Sequence, residues 1–187
     1  MLRRRETPIN KHLKRLRSSW QTYFLPAVAI YSTTLLHLFY VRPTIKMSIL
    51  PYLRNLDMAS FAIAIGLTVF IFRLKRQYVS SRYFRQQLAE ALANDPQADD
   101  ALLTSALFKS LRKRFTLIWL LALLVVVTGV AFYWLTFSPQ NTVHIYFIIG
   151  CFSLALNYPR EDIFAALPLW IEETRRAATS PEDSSSS

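Results

Sequence analysis

The residues best suited to chemistry are few. Histidine occurs three times and cysteine once in 187 residues, and two of the histidines, His37 and His144, lie in stretches free of Asp, Glu, Lys and Arg. Two neutral imidazoles on facing helices can supply both axial ligands of a b-type haem, the arrangement of an electron-transfer membrane anchor. Histidines hydrogen-bonded to headgroups or backbone explain the pair equally well. Cys151 stands alone, so an intrachain disulfide, a Cys-rich zinc site and a CxxC redox pair are excluded. It reads as a small buried hydrophobe. The acid pairs Asp99-Asp100, Glu161-Asp162 and Glu172-Glu173 are sequence neighbours that a helix points apart, which suits caps and solvated faces. No GxSxG, HExxH, P-loop or GxGxxG is present, and the three glycines all fall inside apolar runs. The chain therefore reads as non-enzymatic and without a cofactor, haem b being the alternative.

The elements that must position these residues are apolar and long. Phe115 to Pro159 contains no charged residue, and Ser18 to Val41 and Met58 to Phe72 are likewise charge-free. Backbone groups in hydrocarbon must be satisfied within their own segment, so such runs cross a bilayer as helices of roughly 20 residues. The expected fold is an all-α membrane protein with four transmembrane helices, at about 20–40, 57–74, 115–136 and 142–158, and a long cytoplasmic helical hairpin, 75–114, between the second and third. No ionisable group sits at mid-span, which counts against transport coupled to a buried carboxylate. A small transporter or lipid-handling protein is a second alternative and requires a polar path or cavity.

Lysine and arginine fix the orientation. Seven lie before the first span, three between the first and second, nine between the second and third, none before the fourth and three after it. The positive-inside rule puts both termini and the hairpin in the cytoplasm, and a bacterial inner membrane is the expected location. The net charge of +10 crowds the ends of apolar segments, where it meets anionic lipid headgroups; nucleic acid is not an expected partner. Arg3, Arg4, Arg5, Lys11, Lys14, Arg15 and Arg17, in the basic amphipathic segment 1–19, are the expected headgroup contacts. Ile9, Leu13, Leu16 and Trp20 give that segment an apolar stripe suited to the leaflet or to the hairpin.

Small residues mark where helices can approach. Without a hydrophobic driving force in lipid, helices associate by close packing. Ala62-x-x-x-Gly66 and Cys151-x-x-x-Ala155, with Gly129 and Gly150, predict a midplane contact layer among the second, third and fourth helices. In the hairpin, Asn94-Asp95-Pro96 is the one break. Tyr83 or Phe84, Leu88 and Leu92 recur at helical spacing before it, and Leu103, Leu107 and Leu111, with Phe108, after it. The second membrane helix is expected to run on to about Ala93 and to return as one helix into the third span. Two arms cannot cover both stripes, which leaves Leu103, Leu107, Phe108 and Leu111 as a partner face for the N-terminal segment, a second copy or another subunit. Segment 159–179 is expected to be an interfacial amphipathic helix interrupted or re-initiated at Pro168, and 180–187 a disordered tail. Together these features describe a non-catalytic subunit that anchors or scaffolds a larger membrane complex.

Overall fold

A computed structural model of the chain describes residues 8–41, 51–137 and 140–179. They form six helices and no strand: α1 (Pro8–Val41), α2 (Leu53–Tyr78), α3 (Ser81–Asn94), α4 (Asp100–Thr136), α5 (Gln140–Leu156) and α6 (Leu167–Thr179), with a 3-10 turn over Asp162–Phe164 before α6. Three of these helices, α1, α2 and α4, are long and apolar enough to cross a membrane, which makes the chain a candidate multi-pass membrane protein. The fourth expected span coincides with α5, whose 17 residues make it shorter than the others. Arg3, Arg4, Arg5 and the tail 180–187 lie outside the described residues.

Local chemistry sets the helix ends. The Asp99 carboxylate accepts the backbone N–H of Asp100 at 2.7 Å, and Asp100 in the first turn favours the positive end of the α4 dipole. From there α4 runs unbroken through the hairpin arm into the apolar run, as its lack of Pro and early Gly allows. It stops at Phe137, which takes the left-handed backbone conformation (φ 51°) while its N–H bonds to the Tyr133 carbonyl at 2.7 Å. The other arm departs from the expected single helix. α2 ends at Tyr78 and α3 begins at Ser81, because Ser80 turns extended and its Oγ accepts the Tyr83 N–H, capping a new helix. Pro168 is the second residue of α6, where its missing N–H costs no helical hydrogen bond.

The chain divides into two compact units. The polar unit comprises Met1–Ser18, Lys75–Arg114 and Pro159–Ser187. Its core joins Leu13 and Leu16 of α1, Phe84, Leu88 and Leu92 of α3, and Leu103, Leu107, Phe108 and Leu111 of α4 to Phe164, Leu167 and Ile171 of the C-terminal segment. Phe164 lies 4.8 Å from Phe108 and 6.1 Å from Phe84, ring to ring, and Trp170 packs on Phe84 at 5.5 Å. One sequence expectation changes here: Leu103, Leu107, Phe108 and Leu111 are buried within the chain, Phe108 against Phe164 and against His12 of the N-terminal segment, so they present no face to a partner outside it. Segment 159–179 adds Phe164, Leu167 and Ile171 to this core. Of the stripe only neighbouring Leu102, 60% exposed, stays outside.

The apolar unit comprises Ser19–Leu74 and Phe115–Tyr158. α4 is its hub: Ile118, Trp119, Ala122, Val125 and Tyr133 are fully buried. A methyl group built on Gly129 would come within 2.3 Å of Tyr146 Cβ, and one on Gly150 within 2.4 Å of Val126 Cγ2 and 3.0 Å of the Ala122 carbonyl. These pairings run in opposite sequence directions, so α4 and α5 lie antiparallel at a separation only glycine permits. α2 joins them through Ala64, packed with Val125 and Tyr146. The small-residue layer expected across three helices is thus narrower. Gly66 has nothing within 4 Å of a built Cβ, Ala62 and Ala155 are exposed, and Cys151 is half-buried. Ala64 is two residues from both Ala62 and Gly66, and two residues turn a helix by about 200°, so burying the one aims the others outward.

Candidate functional site

The histidines lie where α1 meets its neighbours. His37 Nδ1 is 2.9 Å from the Tyr133 hydroxyl on α4, and His144 Nδ1, on α5, is 2.6 Å from the Tyr31 hydroxyl on α1. Tyr31 also stacks on Phe147 at 3.6 Å, while the His37 ring lies 4.4 Å from Trp134. α1 is therefore pinned twice, to α4 through His37 and to α5 through Tyr31. Six residues apart, Tyr31 and His37 point about 120° away from each other around the helix. The two histidines consequently occupy two seams instead of facing one another across one, which is the arrangement that paired axial ligation of a haem requires. Ligation through Nε2 would leave the proton on Nδ1, to be donated to the tyrosine oxygen; with no ligand the tyrosine can donate instead.

Further polar fasteners follow the same plan. Tyr146 of α5, fully buried, lies 2.7 Å from Ser60 Oγ of α2. Ser60 donates its own proton to the Asp57 carbonyl at 2.9 Å, so the tyrosine donates to the serine. The indole N–H of Trp119 donates to the Asn157 carbonyl at 3.0 Å, and that of Trp20 to the Leu154 carbonyl at 3.0 Å. Leu154 lies in the last turn of α5, where its carbonyl also accepts the Asn157 N–H at 3.2 Å, and Asn157 is the first residue past the helix. Asn157 adds a bond from its own amide nitrogen to the Ser153 carbonyl at 2.7 Å. Tyr146 and Ser60 escaped the sequence reading, although a hydroxyl in a charge-free run is itself a signal, since it must find a partner in hydrocarbon.

In the polar unit the basic residues divide. Arg17, expected at the headgroups, donates to the Pro159 carbonyl at 3.2 Å and meets Glu161 at 3.3 Å. Lys11, Lys14 and Arg15 are exposed. Arg175 bridges to Asp100 at 2.8 Å and to the Ala98 carbonyl at 2.7 Å, and Arg85 meets Glu173 at 2.9 Å. These last two contacts tie α6 to the ends of α3 and α4. Among the described residues no group of three or more His, Cys, Asp or Glu is placed to hold a metal ion. No protein-family model, no curated protein and no solved structure matches the chain.

Proposed function

We propose that the chain is a non-catalytic integral membrane subunit that anchors or scaffolds a larger complex. In this reading α1, α2, α4 and α5 cross a bacterial inner membrane, and both termini and the polar unit are cytoplasmic. Seventeen helical residues extend about 25 Å, short of the roughly 30 Å core, a mismatch that a bilayer accommodates by local thinning at modest cost. The positive-inside distribution supports the orientation.

The observation that carries the scaffold reading is the outer face of α2. Its buried residues are only Ser60, Ala64, Ile71 and Leu74. Ala62 and Gly66 face outward amid exposed Phe61, Ile65, Val69 and Phe70. Lipid tolerates an apolar side chain there, but Gly66, about 1 kcal/mol less favourable in a helix than Ala, together with Ala62 makes a flat Ala-x-x-x-Gly strip that admits another helix. The natural occupant is a transmembrane helix of a partner subunit or a second copy of the chain. Affinity purification in mild detergent, followed by identification of co-purifying chains, tests this. A defined partner that is lost on Gly66→Leu is the expected result, and monodisperse material containing a single copy of this chain alone overturns it.

A further inference from the structure

Beside the N-terminal half of α1, the polar unit holds a pocket of about 220 Å³ lined by His12, Arg15 and Leu16 of α1 and by Ser105, Phe108, Lys109 and Arg112 of α4. Both walls are single helix faces: positions 12, 15 and 16 on one, 105, 108, 109 and 112 on the other. Phe108 forms the floor and stacks against the His12 imidazole, ring centroids 5.2 Å apart. No carboxylate lines it. Among the described residues seven of the unit's acids are engaged elsewhere, Glu161 with Arg17, Glu173 with Arg85, Asp100 with Arg175, Glu172 with Arg176, Glu90 with Gln86 and Gln87, Asp95 with the Gln97 N–H of the turn and Asp99 with the Asp100 N–H, and Asp162 does not line the pocket. Among the described residues no acid pairs with Arg15, Lys109 or Arg112. Three permanent cations, a hydroxyl and an imidazole therefore converge on one space with no counter-charge among the described residues.

We propose that this pocket binds a phosphomonoester, and specifically the phosphate of an anionic membrane lipid. A phosphomonoester carries about −1.5 to −2 charges at neutral pH, against a single charge for a diester, and so answers three cations better. Its oxygens accept from the guanidinium forks of Arg15 and Arg112, from Lys109 and from Ser105. At ~30 Å³ per water the cavity holds about seven waters, room for a phosphate and the start of its ester substituent. Position favours the lipid source. Arg112 precedes Phe115, and Arg15 precedes Ser18, by three residues each, so both walls run into charge-free helix within about 4.5 Å along the axis. That is headgroup depth if those runs enter the bilayer, and the lipid assignment alone rests on the membrane placement proposed above.

The test uses the full chain in phosphatidylcholine nanodiscs doped with phosphatidic acid or, in parallel, with phosphatidylglycerol, and reads retained lipid by mass spectrometry. Phosphatidic acid is expected to be enriched over phosphatidylglycerol. Arg112→Gln or Lys109→Gln is expected to reduce its retention about tenfold, while Lys14→Gln and Lys113→Gln, which remove equal charge outside the pocket, leave it unchanged. A second readout needs no variant: the His12 imidazole, followed by NMR in the wild-type protein, titrates at higher pH when phosphatidic acid is present, because the anion offsets Lys11, Arg15, Lys109 and Arg112 around it. Inorganic phosphate that binds as tightly and competes fully would keep the anion site and overturn the lipid assignment. Equal retention of both lipids, with pocket and control variants alike, would overturn the site itself. Neither of these last results touches the scaffold reading, which the co-purification experiment judges separately.

Discussion

The two units bury aromatic rings in opposite ways. In the polar unit the buried rings are phenylalanines, Phe164 packing against both Phe84 and Phe108, with no polar atom to satisfy. In the apolar unit they include Trp119, Tyr133 and Tyr146, and each of these three sends its polar atom to another helix. Water explains the first pattern, since apolar area removed from it is the main driving force for packing. A bilayer, which the three long apolar helices suggest, would explain the second: helix surfaces in lipid are already in an apolar medium, so close backbone approach and hydrogen bonds are what remain to discriminate one packing from another. The contact of Gly129 with Tyr146 combines both devices at one point.

The comparison can be broken from either side. Phe84→Ala should be the most damaging change, at about 3–5 kcal/mol, because the ring is 1% exposed and touches both Phe164 and Trp170; thermal unfolding of the detergent-solubilised protein, followed by near-UV circular dichroism, measures it. Gly129→Ala should follow at about 1–3 kcal/mol, since Tyr146 Cβ is fixed to its backbone and cannot swing away. Gly66→Ala is its control. With open space at that position the monomer should be unchanged or more stable by up to about 1 kcal/mol, the helix-propensity gain, and a large loss there would mean the outer face of α2 is already occupied in the purified protein. Tyr133→Phe removes one hydrogen bond and should cost about 0.6 kcal/mol, the average for such bonds in a membrane. A loss several-fold larger in a double-mutant cycle with His37→Phe would assign the pair more than a fastening role.

The smallest effect is a pH dependence. Burial first, then Arg15 and Lys11, hold the His12 imidazole in the polar unit below its ordinary value of 6.5. The unfolded chain therefore binds the proton more readily, so stability is greatest above about pH 6.5 and falls as pH drops through the folded value. Unfolding of wild type and His12→Gln at pH 7 and pH 5 checks this: the wild type should lose slightly more.

Helix type and span were legible because apolar period and charge-free length are properties of the chain alone. The unbroken course of α4 from Asp100 to Thr136 followed from the absence of a breaker, and the hairpin turn from Asn94-Asp95-Pro96. The break at Ser80 was legible in principle as a serine cap, but a cap signal inside a periodic stretch competes with continuation, and only tertiary packing decides. The C-terminal layer was not legible: an amphipathic helix next to a membrane span has the same pattern whether it lies on lipid or on protein. Pairing was hidden for a similar reason. Tyr133, Tyr146 and the histidines are visible as polar atoms needing partners, yet which helix supplies the partner depends on rotation about the helix axis, which small apolar residues specify weakly.

The left-handed residue at Phe137 bears on how the protein is made. It ends α4 so that α5 begins three residues later, at Gln140, and the glycines at 129 and 150 seat α5 antiparallel against α4. If α5 crosses the bilayer as proposed above, a segment this brief partitions weakly by itself, and α4 and α5 would enter the membrane as a single hairpin. Chains truncated after Thr136 would expose the α4 groove, a defect open to membrane proteases.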